Sequence, residues 1–306
     1  MALTYEDCIG LMPELEGQAL DIRRLKGGLT NTLYRVKAAG AGDYVFRFYG
    51  HKTELFIDRQ VEMENLRRLE PLGITPRVTR FLPERGVTVV DFIPGCVLES
   101  PDFLKEELWE RIVAPIRRIH RSGIILPSRF DPLEEVKRLH RILEGFPPLD
   151  PRFDIPGTLR ILEKLGERAE LASAEYVPCH NDLLADNFIL LEDTGRFGAP
   201  MCLIDWEYGA MAPAWYDLAD MFQEVLVPRE VERRLLAVYG ETDRMGRLEF
   251  LIDLFRPFPD VYWFLWSLIQ RNVSAIEFDY DQYGRQKYAR ALESIACLRK
   301  EHGIAI

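Results

Sequence analysis

The sequence has few cysteines, no long apolar run and a shortage of basic charge. Its five cysteines, Cys8, Cys96, Cys179, Cys202 and Cys297, are odd in number and widely spaced among 306 residues. They offer neither the close pairing of a zinc site nor the dense framework of a small disulfide scaffold. They read as reduced thiols of a cytoplasmic protein. No segment reaches the roughly 20 uncharged apolar residues that span a bilayer. Residues 1–7 carry acids where a secretory leader has a basic start and an apolar run. The expectation is a protein neither exported nor membrane-inserted. Lys and Arg total 39 against 49 Asp and Glu, a formal net charge of −10. Nucleic acid and anionic membranes bind clustered cations that displace counterions, so this balance argues against both as partners. An acidic protein suits a cationic small molecule better.

What is present is the apolar content of a globular enzyme, 47% of residues, and a change of pattern part-way along. Up to about residue 93, short β-branched and aromatic runs at 20–25, 32–36, 44–49 and 87–93 surround one charged helical stretch at 54–69. This describes a small sheet carrying one helix. After Pro94-Gly95 the pattern turns helical, over 102–121, 131–143, 158–172 and four further segments from residue 214 onward. Only 176–179, 188–191 and 201–204 look like strands in this half. The expected class is α+β, with an N-terminal antiparallel sheet lobe at 1–93 and a larger, mainly helical lobe at 94–306.

The chemistry is concentrated in Cys179-His180-Asn181-Asp182-Leu183-Leu184-Ala185-Asp186-Asn187-Phe188, followed by Leu203-Ile204-Asp205-Trp206-Glu207. A loop between apolar strands holds His, Asp and Asn, and a second Asp ends the next strand. Phosphoryl transfer needs that inventory: a carboxylate to orient and deprotonate a hydroxyl, and an Asn and an Asp to hold Mg²⁺ against nucleotide phosphates. Protein kinases carry the same order as His-x-Asp-x-x-x-x-Asn and a later metal-binding Asp. The matching residues are His180, Asp182, Asn187 and Asp205, with His180 better suited to bracing the loop than to carrying a proton. Turn chemistry alone also uses Asp and Asn, but not four such residues in this order between two apolar strands.

The first half supplies what would clamp phosphates. Lys26-Gly27-Gly28-Leu29-Thr30-Asn31 joins two strands with a glycine-rich turn, whose backbone amides and Thr30 hydroxyl suit an anion. Arg47 lies on the strand where a kinase carries its phosphate-binding Lys, and Glu62 on the following helix where that cation's partner sits. Asp91 and Ile93, at the end of the last apolar run, fall where an adenine would lodge between lobes.

Taken together the chain resembles the choline/ethanolamine kinase family, relatives of the aminoglycoside phosphotransferases. The resemblance is carried by Gly27-Gly28-Leu29-Thr30-Asn31, Phe46-Arg47-Phe48-Tyr49-Gly50, Cys179-His180-Asn181-Asp182 and Ile204-Asp205-Trp206-Glu207-Tyr208. Trp263-Phe264-Leu265-Trp266 and Ile276-Glu277-Phe278-Asp279-Tyr280 complete it. It implies a two-lobed protein-kinase-like fold, ATP and Mg²⁺ as cofactors, and a small amino alcohol, choline or ethanolamine, as acceptor. It also implies that Tyr208, Trp263, Trp266 and Tyr283 surround the substrate's ammonium group. Trp263 and Trp266 are three apart and so share a helix face, and aromatic faces attract a desolvated quaternary ammonium by about 2 kcal/mol. Glu224 is an expected acceptor for ammonium N–H groups. Leu184 departs from the polar residue of many relatives. An aminoglycoside or thiamine kinase, or a silent nucleotide- or amine-binding relative, are the alternative readings. A homodimer is among the states the resemblance allows.

Overall fold

The computed structural model describes residues 3–25, 30–147, 150–171, 174–192, 200–240 and 245–305. Helix α1 (Tyr5–Leu11) opens with a reciprocal cap. Thr4 Oγ1 accepts the amide of Asp7 at 3.1 Å, and the Asp7 carboxylate accepts that of Thr4 at 3.0 Å. The buried Cys8 and Leu11 of α1 pack on one face of a sheet built from β1 (Leu20–Arg24), β2 (Asn31–Ala38), β3 (Gly42–Tyr49), β4 (Val78–Leu82) and β5 (Val87–Asp91). Its order is β1-β2-β3-β5-β4, antiparallel throughout.

Side chains alternate across a strand, and β3 uses this to separate core from chemistry. Phe46 points into the α1 core with Val36 and Val89. Arg47, the next residue, emerges on the other face between Leu33 of β2 and Thr88 of β5. That face is crossed by α2 (Arg59–Leu69). The helical signal from 54 onward resolves into a single 3₁₀ turn (Thr53–Leu55) and then α2, because Asp58 captures the amides of Gln60 and Val61 at 2.9 and 3.2 Å and fixes the start there.

Two short strands beyond Ile93 are absent from the sequence expectation. β6 (Gly95–Val97) pairs with β8 (Phe188–Leu191), which pairs with β9 (Met201–Leu203), and β10 (Ala210–Pro213) pairs with β7 (Tyr176–Cys179). Gly-Cys-Val and Ala-Met-Ala-Pro carry almost none of the β-branched signal by which strands are read, and partner strands impose the conformation. Gly95 is required in β6, since a Cβ there would lie 2.4 Å from the Leu190 carbonyl oxygen. Ile93, Ile189, Leu191 and Cys202 form a separate small core where the sheet lobe meets the rest.

The remainder is helical: α3 (Trp109–His120), α4 (Pro132–Leu143), α5 (Ile155–Arg168), α6 (Ala214–Val225), α7 (Arg229–Tyr239), α8 (Met245–Phe255), α9 (Pro257–Val273) and α10 (Tyr280–His302). Among the described residues five helices follow residue 214 rather than four, because Pro257 starts a new helix directly after α8. Residues 257–270 are all buried, a mainly apolar stretch whose Asp260 is held by Arg290 and Gln223. Helix α10 lies against α9 so closely that a Cβ on Gly284 would sit 2.2 Å from Ser267 Oγ. This contact brings Tyr283 to Trp266, ring centroids 6.3 Å apart.

Candidate active site

The loop after β7 is held from below by two carboxylates of α6. Asp217 accepts the amides of His180 and Asn181 at 3.1 and 2.7 Å, and Asp220, one turn on, accepts that of Leu183 at 2.8 Å. His120 of α3 braces Asp217 at 2.9 Å. His120, Cys179 and Asp217 form a buried cluster of potential metal ligands, but their hydrogen bonds account for them as the loop's foundation. Asn181 adopts a left-handed backbone, φ 63°, and donates its side-chain amide to the Tyr208 carbonyl at 3.0 Å. His180 is fully buried, donates Nε2–H to the Ile204 carbonyl at 2.8 Å and packs on Trp206. It ties the loop to the Asp205 segment and borders neither of the cavities described below.

Asp182 therefore projects from a backbone fixed on both sides. Asn187 spends its amide nitrogen on the Asp182 carbonyl at 2.8 Å, leaving its oxygen as a donor for a cation. Burial pushes the Asp182 carboxyl well above the usual carboxylate range, and the charges of Asp220, Asp205 and Glu224 add to the shift. Asp205, with φ 66°, is raised to about 7 by burial and by Glu207, against the opposing pull of Arg47. Carboxylates and an amide oxygen that repel one another in the absence of a cation are the donor set a hard divalent ion prefers.

A buried ion network joins this region to the sheet lobe. Arg47 reaches Glu62 with one terminal nitrogen and Asp205 with the other, both at 2.5 Å. Burial opposes the Arg47 charge, but Glu62, Asp205 and Glu207 together hold its pKa above the ordinary value. Arg59, which sequence reading did not single out, bonds Glu62 at 2.7 Å, Glu207 at 3.0 Å and Asn31 at 2.8 Å, with its guanidinium over Tyr49. Thr30 was expected to offer its hydroxyl to phosphate; it donates instead to Glu207 at 2.6 Å, and Asn31 donates to the same carboxylate at 2.9 Å. Gly27 and Gly28 lie outside the described residues.

Two cavities meet here. One, of about 420 Å³, runs between Leu33, Val45 and Val90 of the sheet and Ile189 and Ile204 below, with Asp91 and Ile93 at its border. The Asp91 carboxylate is itself held by the Thr79 hydroxyl at 2.9 Å and Arg77 at 3.1 Å, so its side chain braces the neighbouring strand. The other, of about 770 Å³, is walled by Leu184, Tyr208, Trp263, Trp266, Phe278 and Tyr283, with Asp182 and Glu207 on its polar side. Asp186, Asn187 and Asp205 border both. Asp186 is exposed and was passed over in the sequence because a loop Asp has no distinguishing neighbour. Glu224, expected to face a substrate amine, borders neither cavity and is paired with Lys287. The aromatic wall is rigidly built: Tyr208 meets Trp263 edge to face at 5.2 Å, Trp263 meets Trp266 at 5.7 Å, and Trp263 Nε1 donates to Asp220 at 3.0 Å.

With that geometry in view, comparison with known proteins is decisive. The model of the choline/ethanolamine kinase family matches residues 22–234. The chain belongs to that family. It is a phosphotransferase with an alcohol group as acceptor. Ethanolamine kinase 2 of Mus musculus is 27% identical over 302 residues, which cover 89% of this chain and 76% of that protein. The crystal structure of the choline kinase LicA from Streptococcus pneumoniae superposes with a TM-score of 0.79 at 25% identity, covering 95% of this chain and 98% of LicA. LicA in complex with AMP gives 0.77 at 26% identity, covering 96% and 99%. The two-lobed protein-kinase-like fold is thereby shown, and the family uses ATP. No helix among the described residues is long and apolar enough to cross a membrane.

Proposed function

We propose that this kinase transfers the terminal phosphoryl group of ATP to the hydroxyl of choline or ethanolamine, with residues 1–93 forming the nucleotide-binding lobe and 94–306 the catalytic and substrate-binding lobe. The observation that carries the reading is the junction of the two cavities. Asp205 and Asn187 border both an apolar slot suited to a purine and an aromatic chamber suited to an ammonium, and Asp182 stands on the chamber side of that seam.

Asp182 accepts the proton of the attacking hydroxyl. Its raised pKa makes it a stronger base than a solvated carboxylate, and the adjacent cationic substrate favours its ionised form. Asn187 and Asp205 are the residues that would hold Mg²⁺, which would supply charge neutralisation on the phosphates. Arg47, aimed by Glu62, lies where it can pair with the nucleotide phosphates, and the chain from Thr30 and Asn31 to Glu207 fixes the lobes against each other. The aromatic wall seats the ammonium so that the hydroxyl faces Asp182, and catalysis then rests on positioning and electrostatics. The five cysteines are all free thiols, which suits a reducing cytoplasm.

The test is a coupled ADP-release assay with ATP, Mg²⁺ and either choline or ethanolamine, with the phosphorylated product identified by mass. Turnover that Asp182→Ala and Asp205→Ala each abolish, in proteins that still melt cooperatively, supports the assignment. Substantial activity in either variant refutes it.

A further inference from the structure

Among the described residues, three carboxylates behind the aromatic wall, Asp220, Asp260 and Glu224, are each engaged by the protein's own donors. Asp220 takes Trp263 Nε1–H and the Leu183 amide, at 3.0 and 2.8 Å. Asp260 takes Arg290 at 2.6 Å and the side-chain amide of Gln223. Glu224 takes the ammonium of Lys287, with both side chains less than one tenth exposed. Lys287 also lies 3.9 Å from Asp260 and sits over the ring of Tyr283 at 5.2 Å. It stands one helical turn beyond Tyr283 on α10, directly behind a wall of the chamber.

We propose that Lys287 is a specificity-determining residue: as a resident ammonium on Glu224, it withdraws that carboxylate from the chamber and leaves the substrate's cationic head to aromatic faces. The proposal rests on the function argued above and deepens it. A quaternary ammonium has no N–H donors and so leaves no hydrogen bond unmade in such a chamber, where the ring faces offset its desolvation. A primary ammonium brings three donors, and each one left without a partner in a desolvated site carries a penalty. The acceptors that remain on the polar side, Asp182 among them, are the ones the proposed function assigns to the reacting hydroxyl. The chamber thus favours the trimethylated amine, and the Glu224–Lys287 pair keeps it so.

The charge of Lys287 also repels either amine at long range. That effect acts on both substrates alike, and only the release of an acceptor tells them apart. The experiment measures kcat and KM for choline and for ethanolamine in the wild type, Lys287→Met, Glu224→Gln and the double variant, each with its melting curve. In the wild type, ethanolamine is expected to have a KM at least tenfold above that of choline. Lys287→Met narrows this ratio at least tenfold through the ethanolamine KM, and adding Glu224→Gln restores it. Glu224→Gln alone releases no carboxylate and leaves the ratio at or above the wild-type value, an arm that decides the matter even if Lys287→Met does not fold. Parallel changes for both amines in Lys287→Met, or a gain for ethanolamine in Glu224→Gln, overturn the proposal while leaving the kinase assignment intact. A wild type that phosphorylates neither amine overturns the assignment itself.

Discussion

The guanidinium of Arg47 meets the carboxylate of Asp205 at 2.5 Å across 158 residues of sequence, while its other arm holds Glu62. One planar fork therefore spans a helix of the sheet lobe and the strand end that carries a proposed metal ligand. A lysine has a single ammonium on a flexible stem and cannot bridge both acceptors in that geometry. Arg47→Lys is expected to raise the nucleotide KM about tenfold, and Arg47→Met to lower kcat/KM for nucleotide on the order of a hundredfold, the scale of a lost charged transition-state contact. Arg47→Met also leaves a buried carboxylate undercompensated, at a cost of about 3 kcal/mol of stability by urea unfolding. Unchanged nucleotide kinetics in Arg47→Met would remove this residue from the phosphate site.

Asp182 is held in a conformation that stability alone would not choose. Burial and four neighbouring acids disfavour its charge, and a neutral isostere escapes both. Asp182→Asn is therefore expected to lower kcat by about a thousandfold, as loss of a general base does. The same variant should melt a few degrees higher than the wild type, since removing like-charge repulsion from a functional site commonly stabilises. Calorimetry and steady-state kinetics on one preparation check both halves, and a lower melting temperature would contradict the electrostatic account.

The pH dependence follows from Asp205, whose carboxyl is raised to about 7 by burial first and by Glu207 second. In the free enzyme this group is protonated, and therefore neutral, below that value and no longer attracts a cation, so kcat/KM for nucleotide should fall by up to tenfold per pH unit below about 7 and level off above it. Arg47 pulls the Asp205 pKa down. Removing its charge must therefore move the acid limb to higher pH. A profile in Arg47→Met that keeps the wild-type midpoint would show that another group controls the limb.

The local motif was readable and the distant partners were not. Asp182, Asn187 and Asp205 stand within one loop and the next strand end, and the strands at 176–179 and 188–191 coincide with β7 and β8, because apolar runs and turn residues are local signals. Glu62 followed from its position one helix after Arg47. Arg59 and Lys287 were not singled out in the sequence, since nothing near them announces Glu207, 148 residues away, or Glu224, 63 residues away. The same blindness made Glu224 look like a free acceptor. Asp217 and Asp220 were invisible as supports because a carboxylate that binds backbone amides of another segment leaves no trace in its own neighbourhood. β6 and β10 escaped for a related reason: their partners, not their side chains, make them strands.

Arg59 shows how such a hidden residue contributes. Its guanidinium lies on Tyr49 and links Glu62 of the sheet lobe to Glu207 of the other. Two arginines thus answer three acids, the buried Glu62 and Glu207 and the half-buried Asp205, whose carboxylates cluster closely enough to hold a cation. Arg59→Ala leaves Arg47 alone among them, so the loss should exceed that of a surface pair, which is worth less than about 1 kcal/mol. A double-mutant cycle of Arg59→Ala and Glu207→Gln by urea unfolding is expected to give a coupling of about 1–3 kcal/mol, the range for groups in one network. The loosened lobes should also raise KM for nucleotide and amine together, because each cavity borders residues that this network fixes. A coupling near zero with both KM values unchanged would mean that the contact between lobes is maintained without Arg59.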